Sequence, residues 1–119
     1  MRLLVCGGRD FANEAALRRI LDKYHSKTPV SVLIQGGARG ADRLAANWAR
    51  ANGVECHEYP ADWRQHGKRA GYLRNQQMLD EGKPDFVIAF PGGIGTNMMI
   101  KLSNLANIHG VRITPKGDN

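Results

Sequence analysis

The chain has only two cysteines among its 119 residues, no long apolar run, no block of like charges and neither of the two commonest glycine-rich nucleotide motifs. Cys6 and Cys56 fall in different expected strands without C-x-x-C spacing, so they read as buried, non-catalytic thiols in a reducing compartment. The four histidines, His25, His57, His66 and His109, have no metal-ligand spacing with one another or with the cysteines. No metal site is therefore expected. Apolar runs such as Phe86 to Phe90 are strand-sized, far short of the roughly 20 residues that span a bilayer. The stretch before Gly7 is too short for a signal peptide and reads as a first strand. These absences together predict a cytoplasmic protein with no membrane partner. No G-x-x-x-x-G-K-[ST] pattern occurs, which argues against a P-loop triphosphatase. No G-x-G-x-x-G follows the first strand, and the second strand runs into Gln35-Gly36, where a dinucleotide enzyme places an acid for the ribose. Nicotinamide and flavin dehydrogenases are thus disfavoured, and no cofactor is expected. The net charge of +6, from 17 Lys and Arg against 11 Asp and Glu, would attract anions including nucleic acid, but it is equally ordinary for a small, evenly solvated domain.

What is present is glycine in three clusters: Gly7-Gly8-Arg9, Gly36-Gly37-Ala38-Arg39-Gly40 and Pro91-Gly92-Gly93-Ile94-Gly95-Thr96. Each follows a short apolar run and precedes a helix-like stretch. A glycine turn between strand and helix lets backbone approach a ligand closely and aims the free N–H groups of the helix start at it. Three such turns point to a site for phosphate or another anion, with a nucleotide or nucleotide-derived ligand as the leading reading.

The rest of the pattern supplies the fold. Strand-like runs occur at Leu3 to Cys6, Val30 to Ile34, Val54 to Tyr59, Asp85 to Phe90 and Val111 to Thr114. Helical segments alternate with them. In the first, residues 13–26, Leu17, Ile20, Leu21 and Tyr24 keep the spacing of one buried face, and Ala41, Leu44, Ala45, Trp48 and Ala49 do so in the second, 41–52. A third is expected over 68–81 and a fourth over 96–109, stopped by Gly82 and Gly110 respectively. Strand–helix alternation predicts an α/β fold: one Rossmann-like three-layer domain over 1–119, with a parallel five-stranded sheet of order 3-2-1-4-5 and right-handed crossovers. In that order strands one, two and four are neighbours, so the three glycine turns converge at the carboxyl edge, where open α/β sheets bind ligands.

Several side chains then become candidates. Arg9 and Arg39, beside glycine turns, offer planar forks to phosphate. Asp42 can favour its helix dipole or accept a ribose hydroxyl. Thr96 is expected to begin the fourth helix, capping it and meeting an anion. The stretch from Trp63 to Asn75 mixes aromatics with bases and could fold over the pocket, stacking on a base while its cations meet phosphate; a packed Trp63 and a solvated Lys68 and Arg69 are equally compatible with it. Met98, Met99 and Ile100 read as core-facing or pocket-lining.

The two later glycine motifs, Gly36 to Asp42 after a Val-Leu-Ile strand and Pro91 to Thr96, resemble the SLOG superfamily, the Rossmann-like group containing the "lonely guy" phosphoribohydrolases and the DNA-processing protein DprA. The opening Val5 to Phe11, then Asp62-Trp63, Gly67 to Gly71, Arg74-Asn75 and Met78-Leu79, are most similar to its YspA-like branch. The resemblance covers nearly the whole chain, and it adds Arg74 and Asn75 to the expected ligand contacts. It implies binding of a nucleotide or related phosphorylated ligand in the crevice at that carboxyl edge, where the expected contacts are Gly7, Gly8, Arg9, Gly36, Gly37, Arg39, Gly40, Asp42, Arg74, Asn75, Pro91, Gly92, Gly93, Gly95 and Thr96.

Catalysis is not implied by resemblance alone. The phosphoribohydrolase turn reads P-G-G-x-G-T-x-x-E, its glutamate taking part in N-glycosidic cleavage, and the matching position here is Met99. Methionine can neither activate water nor stabilise an oxocarbenium-like centre. Glu58 and Asp62 are the nearest substitutes in sequence. Two alternatives to a sensing or sequestering domain therefore stay open: an N-glycosidic hydrolase of nucleoside monophosphates with a relocated carboxylate, and a DprA-like nucleic-acid-binding module. A homodimer is compatible with all three.

Overall fold

The computed structural model describes residues 1–115. Five strands, β1 (Arg2–Cys6), β2 (Val32–Gln35), β3 (Glu55–Glu58), β4 (Phe86–Ala89) and β5 (His109–Arg112), form one sheet of order β3-β2-β1-β4-β5. Every neighbouring pair is parallel. The helices are α1 (Glu14–Lys27), α2 (Ala41–Ala51), α3 (Trp63–His66), α4 (Ala70–Gly82) and α5 (Ile94–Leu105), with a 3₁₀ turn at Gly67–Arg69 leading into α4.

Alternation along β1 divides the core. Leu3 and Val5 join Leu33, Ile88 and Phe90 beneath α1 and α2, while Leu4 and Cys6 join Ile34, Val87 and Ala89 beneath Met78 and Leu79 of α4 and Met99 of α5. Near-continuous apolar strands are what a parallel sheet covered on both faces requires. Leu17, Ile20 and Leu21 are buried on α1, and Ala45, Trp48 and Ala49 on α2. The two helices are tied where Trp48 Nε1 donates to Asp22 Oδ1 at 2.8 Å. Among the described residues no helix is long and apolar enough to cross a membrane.

Three expectations are corrected. The fourth helix stops at Leu105 rather than His109, and His109 opens β5. Asn107 adopts φ 59° and Ile108 N donates back to Ser103 O at 2.9 Å, so an asparagine, which tolerates the left-handed region, ends the helix ahead of Gly110. The third helix loses its first turn, because Asp62 caps the separate α3 through Gln65 N and Gly67 turns the chain at φ 57°. At its other end α4 includes Gly82, where a Cβ would come within 3.1 Å of Ile34 Cδ1; the left-handed stop falls on Lys83. Cys56 is exposed rather than buried, since β3 is a sheet edge paired only with β2.

Candidate functional site

The carboxyl ends of β1, β2 and β4 meet around Gly8. Gly8 N donates to Pro91 O at 2.8 Å, and Ala41 N donates to Gly8 O at 3.2 Å, so one residue joins the starts of α2 and α5. The packing leaves no room for side chains there. A Cβ on Gly7 would lie 2.6 Å from Ala41 Cβ, and one on Gly40, at φ 82°, would collide with the Gly8 carbonyl.

A cleft of about 440 Å³ opens over this junction, within the range of small-molecule sites. Its floor is Cys6, Gly7, Gly8 and Asp42; one wall is Gly93 to Thr96 at the start of α5; the other carries Trp63, Lys68, Tyr72, Arg74, Asn75 and Met78. Trp63 and Tyr72 are exposed aromatics at the rim, and the Arg9 guanidinium lies 5.6 Å from the Trp63 ring centroid. Cations from three segments, Arg9, Lys68 and Arg74, therefore converge on one hollow.

The second and third glycine turns differ in how their N–H groups are used. In the second, Gly37 N donates to Gln35 Oε1 at 2.6 Å, Ala38 N to Asp42 Oδ2 at 3.2 Å and Ala41 N to Gly8. Gln35 is itself buried and reaches Glu58 at 3.3 Å. The third turn has no such arrangement, although α2 and α5 alike start at a glycine, Gly40 and Gly93, without a side-chain cap. Among the described residues no acceptor meets the N–H groups of Ile94, Gly95 and Thr96; backbone bonding resumes with Asn97 N to Gly93 O. Thr96 thus lies inside the first turn of α5, and the expected capping threonine is replaced by Gly93.

Arg74 and Asp42 shape the back of the cleft. Arg74 Nη1 donates to Gly36 O at 2.5 Å and its Nε to Asn75 Oδ1 at 3.0 Å, while Asn75 Nδ2 reaches Gly95 O at 3.3 Å. A chain of polar contacts thereby connects the second turn, α4 and the third turn. Burial holds the Arg74 pKa below its ordinary value. Asp42, 6% exposed, is pushed up to about 6 mainly by burial, opposed by hydrogen bonds from Ala38 and Gly36 and by the charge of Arg74. Burial drives the Cys6 thiol up to about 12, so it lines the cleft as a protonated apolar group rather than a thiolate.

Of the residues expected from sequence, Gly7, Gly8, Arg9, Asp42, Arg74, Asn75, Gly93, Gly95 and Thr96 line this cleft. Gly36, Gly37 and Arg39 border an adjoining hollow with Pro60 and Ala61, where Arg39 Nη2 pairs with Asp10 Oδ1 at 3.4 Å. Pro91 and Gly92 lie behind Gly8, and Gly40 packs beneath it. Met99 is 1% exposed in the lower core, whereas Met98 reaches the cleft. Neither Glu58 nor Asp62 lines it; the one borders the Gln35 network and the other caps α3. Sequence reasoning left Lys68 and Tyr72 undecided, although Lys68, Gly71, Tyr72, Asn75 and Met78 recur every three or four residues on one face. Among the described residues no group of three or more His, Cys, Asp or Glu could hold a metal ion.

The sequence has counterparts. The model of the YspA, cpYpsA-related SLOG family matches residues 1–66, which include the first two glycine turns and Asp42. The Gene 61 protein of Mycobacterium phage D29 is 37% identical over 115 residues, an alignment covering 90% of this chain and 91% of the phage protein, and so extending beyond the segment matched by the family model. With more than half its length matched by that model and both glycine turns in their expected order, the chain belongs to the YspA, cpYpsA-related SLOG family.

Proposed function

We propose that the cleft binds a nucleotide or nucleotide-derived phosphorylated ligand, with the phosphate at the start of α5. The observation that carries this reading is the set of N–H groups at Ile94, Gly95 and Thr96 that no acceptor among the described residues meets, in a stretch lining a hollow supplied with Arg9, Lys68 and Arg74. A helix start of this kind favours anions through both its donors and its dipole. Trp63 and Tyr72 give the rim two aromatic faces on which a base can stack. Binding for sensing or sequestration follows from such a site without a catalytic group.

Native mass spectrometry of the protein purified without added nucleotide, followed by denaturation, tests the reading. A released phosphorylated compound in stoichiometric amount is the expected result. An empty protein that also shows no thermal shift with any nucleoside mono-, di- or triphosphate would refute it.

A further inference from the structure

The cleft contains one group that a phosphate-only site would not include. Asp42 is the sole acid among its lining residues, and it sits on the floor. Its Oδ2 accepts from Ala38 N at 3.2 Å. A carboxylate in that position repels phosphate and accepts a hydrogen bond from a donor. The surrounding Arg9, Lys68 and Arg74 disfavour a cationic donor, which leaves a neutral one.

Resting on the phosphate assignment made above, we propose that Asp42 is a specificity-determining residue that accepts a hydrogen bond from a sugar hydroxyl of the ligand. The bound molecule then has a fixed direction. Its phosphate lies at α5, its base reaches the exposed aromatics at the rim, and the sugar joining the two passes over Asp42 on the floor. Such an acid does what a ribose-binding carboxylate does elsewhere, but from the first turn of a helix rather than the end of a strand. The neighbours act in both directions: burial and Glu58 at the end of β3 oppose the charged form, while the Ala38 and Gly36 N–H groups and Arg74 of α4 favour it, and the protonated Cys6 thiol of β1 adds no charge. At neutral pH the carboxyl is ionised and ready to accept.

The test compares AMP with 2′,3′-dideoxy-AMP by calorimetry on the full chain. Wild type is expected to bind AMP about tenfold more tightly, the scale of one hydrogen bond to a charged group. The preference should vanish in Asp42→Ala and shrink to a few-fold in Asp42→Asn, which retains an acceptor for Ala38 N. It should also narrow in wild type as the pH falls below the range in which Asp42 is ionised. Equal binding of the two compounds by wild type, or a preference that survives in Asp42→Ala, overturns the role of Asp42 and leaves the phosphate reading intact. Failure of wild type to bind either compound, or any other nucleoside mono-, di- or triphosphate, at millimolar concentration overturns both.

Discussion

The turn from Gly36 to Gly40 and the turn from Pro91 to Gly95 look alike in sequence, each a glycine cluster between a buried strand and a helix. In the fold they differ in what meets their N–H groups. The first is closed by its own side chains, with Gln35 and Asp42 supplying acceptors and Arg74 holding the Gly36 carbonyl. The second is open: both helices start at a glycine without a side-chain cap, but among the described residues no acceptor meets the N–H groups of Ile94, Gly95 and Thr96. Glycine before a helix therefore marks a place where backbone comes close to something, and the side chains around it decide whether that something is protein or ligand. Here one turn is structural support and the other is the candidate phosphate cradle.

Adding a side chain to each turn separates the two roles most sharply. Gly40→Ala combines a forced φ of 82° with a collision at Gly8, and should lower the unfolding free energy by roughly 3 kcal/mol in a urea titration. A variant with unchanged stability would show that the junction at Gly8 is not rigid. Gly95→Asp is the counterpart, because nothing lies within 4 Å of a Cβ there. An acid in the first turn suits the helix dipole and should leave the melting temperature equal or slightly higher. Nucleotide affinity should nonetheless fall about a hundredfold, a difference near 2.7 kcal/mol. Retained affinity would place the phosphate elsewhere.

The pH dependence of stability probes the closed turn. Asp42 is raised from 3.8 to about 6 in the fold, so the folded protein holds a proton there that the unfolded chain has released. The stability contributed by protonated Asp42 is complete below about pH 4 and is lost as the pH rises through about 6. Asp42→Asn, neutral at every pH, should match wild type near pH 4 and exceed it by on the order of 2 kcal/mol near pH 8. A constant difference across that range would mean that the carboxyl is not desolvated. Smaller effects come from the cations. Arg9→Ala should weaken nucleotide binding by about tenfold as one charge-assisted contact is lost. Arg39→Ala should change it by less than about twofold, since Arg39 faces Asp10 from an adjoining hollow with its side chain 65% exposed. Equal losses in the two variants would bring Arg39 into the site.

Much of this fold is legible in the sequence. Helical spacing located the buried faces of α1 and α2, and strand–helix alternation with short connections predicted the strand order that is observed. The boundaries differ where a local residue competes with a stronger stop signal: Asn107 ends α5 ahead of Gly110, and Lys83 takes the left-handed turn while Gly82 stays in the helix close against Ile34. Cys56 is exposed although expected buried, and the expected order 3-2-1-4-5 already put its strand at an edge, where a cysteine's usual burial does not follow.

The division for the site follows from range. Glycine, arginine and helix-start residues are local signals, so the sequence alone determined that three glycine turns would gather at one edge of a parallel sheet. Which N–H groups are met depends on partners that the fold assembles: Gly8 O at the end of β1 accepts from Ala41 N, and Gln35, whose amide also reaches Glu58, turns back to accept from Gly37 N. Only the tertiary structure brought those partners together. A backbone donor already satisfied by a buried side chain gains little from a ligand, while one left open gains a full hydrogen bond, and that difference distinguishes the two turns.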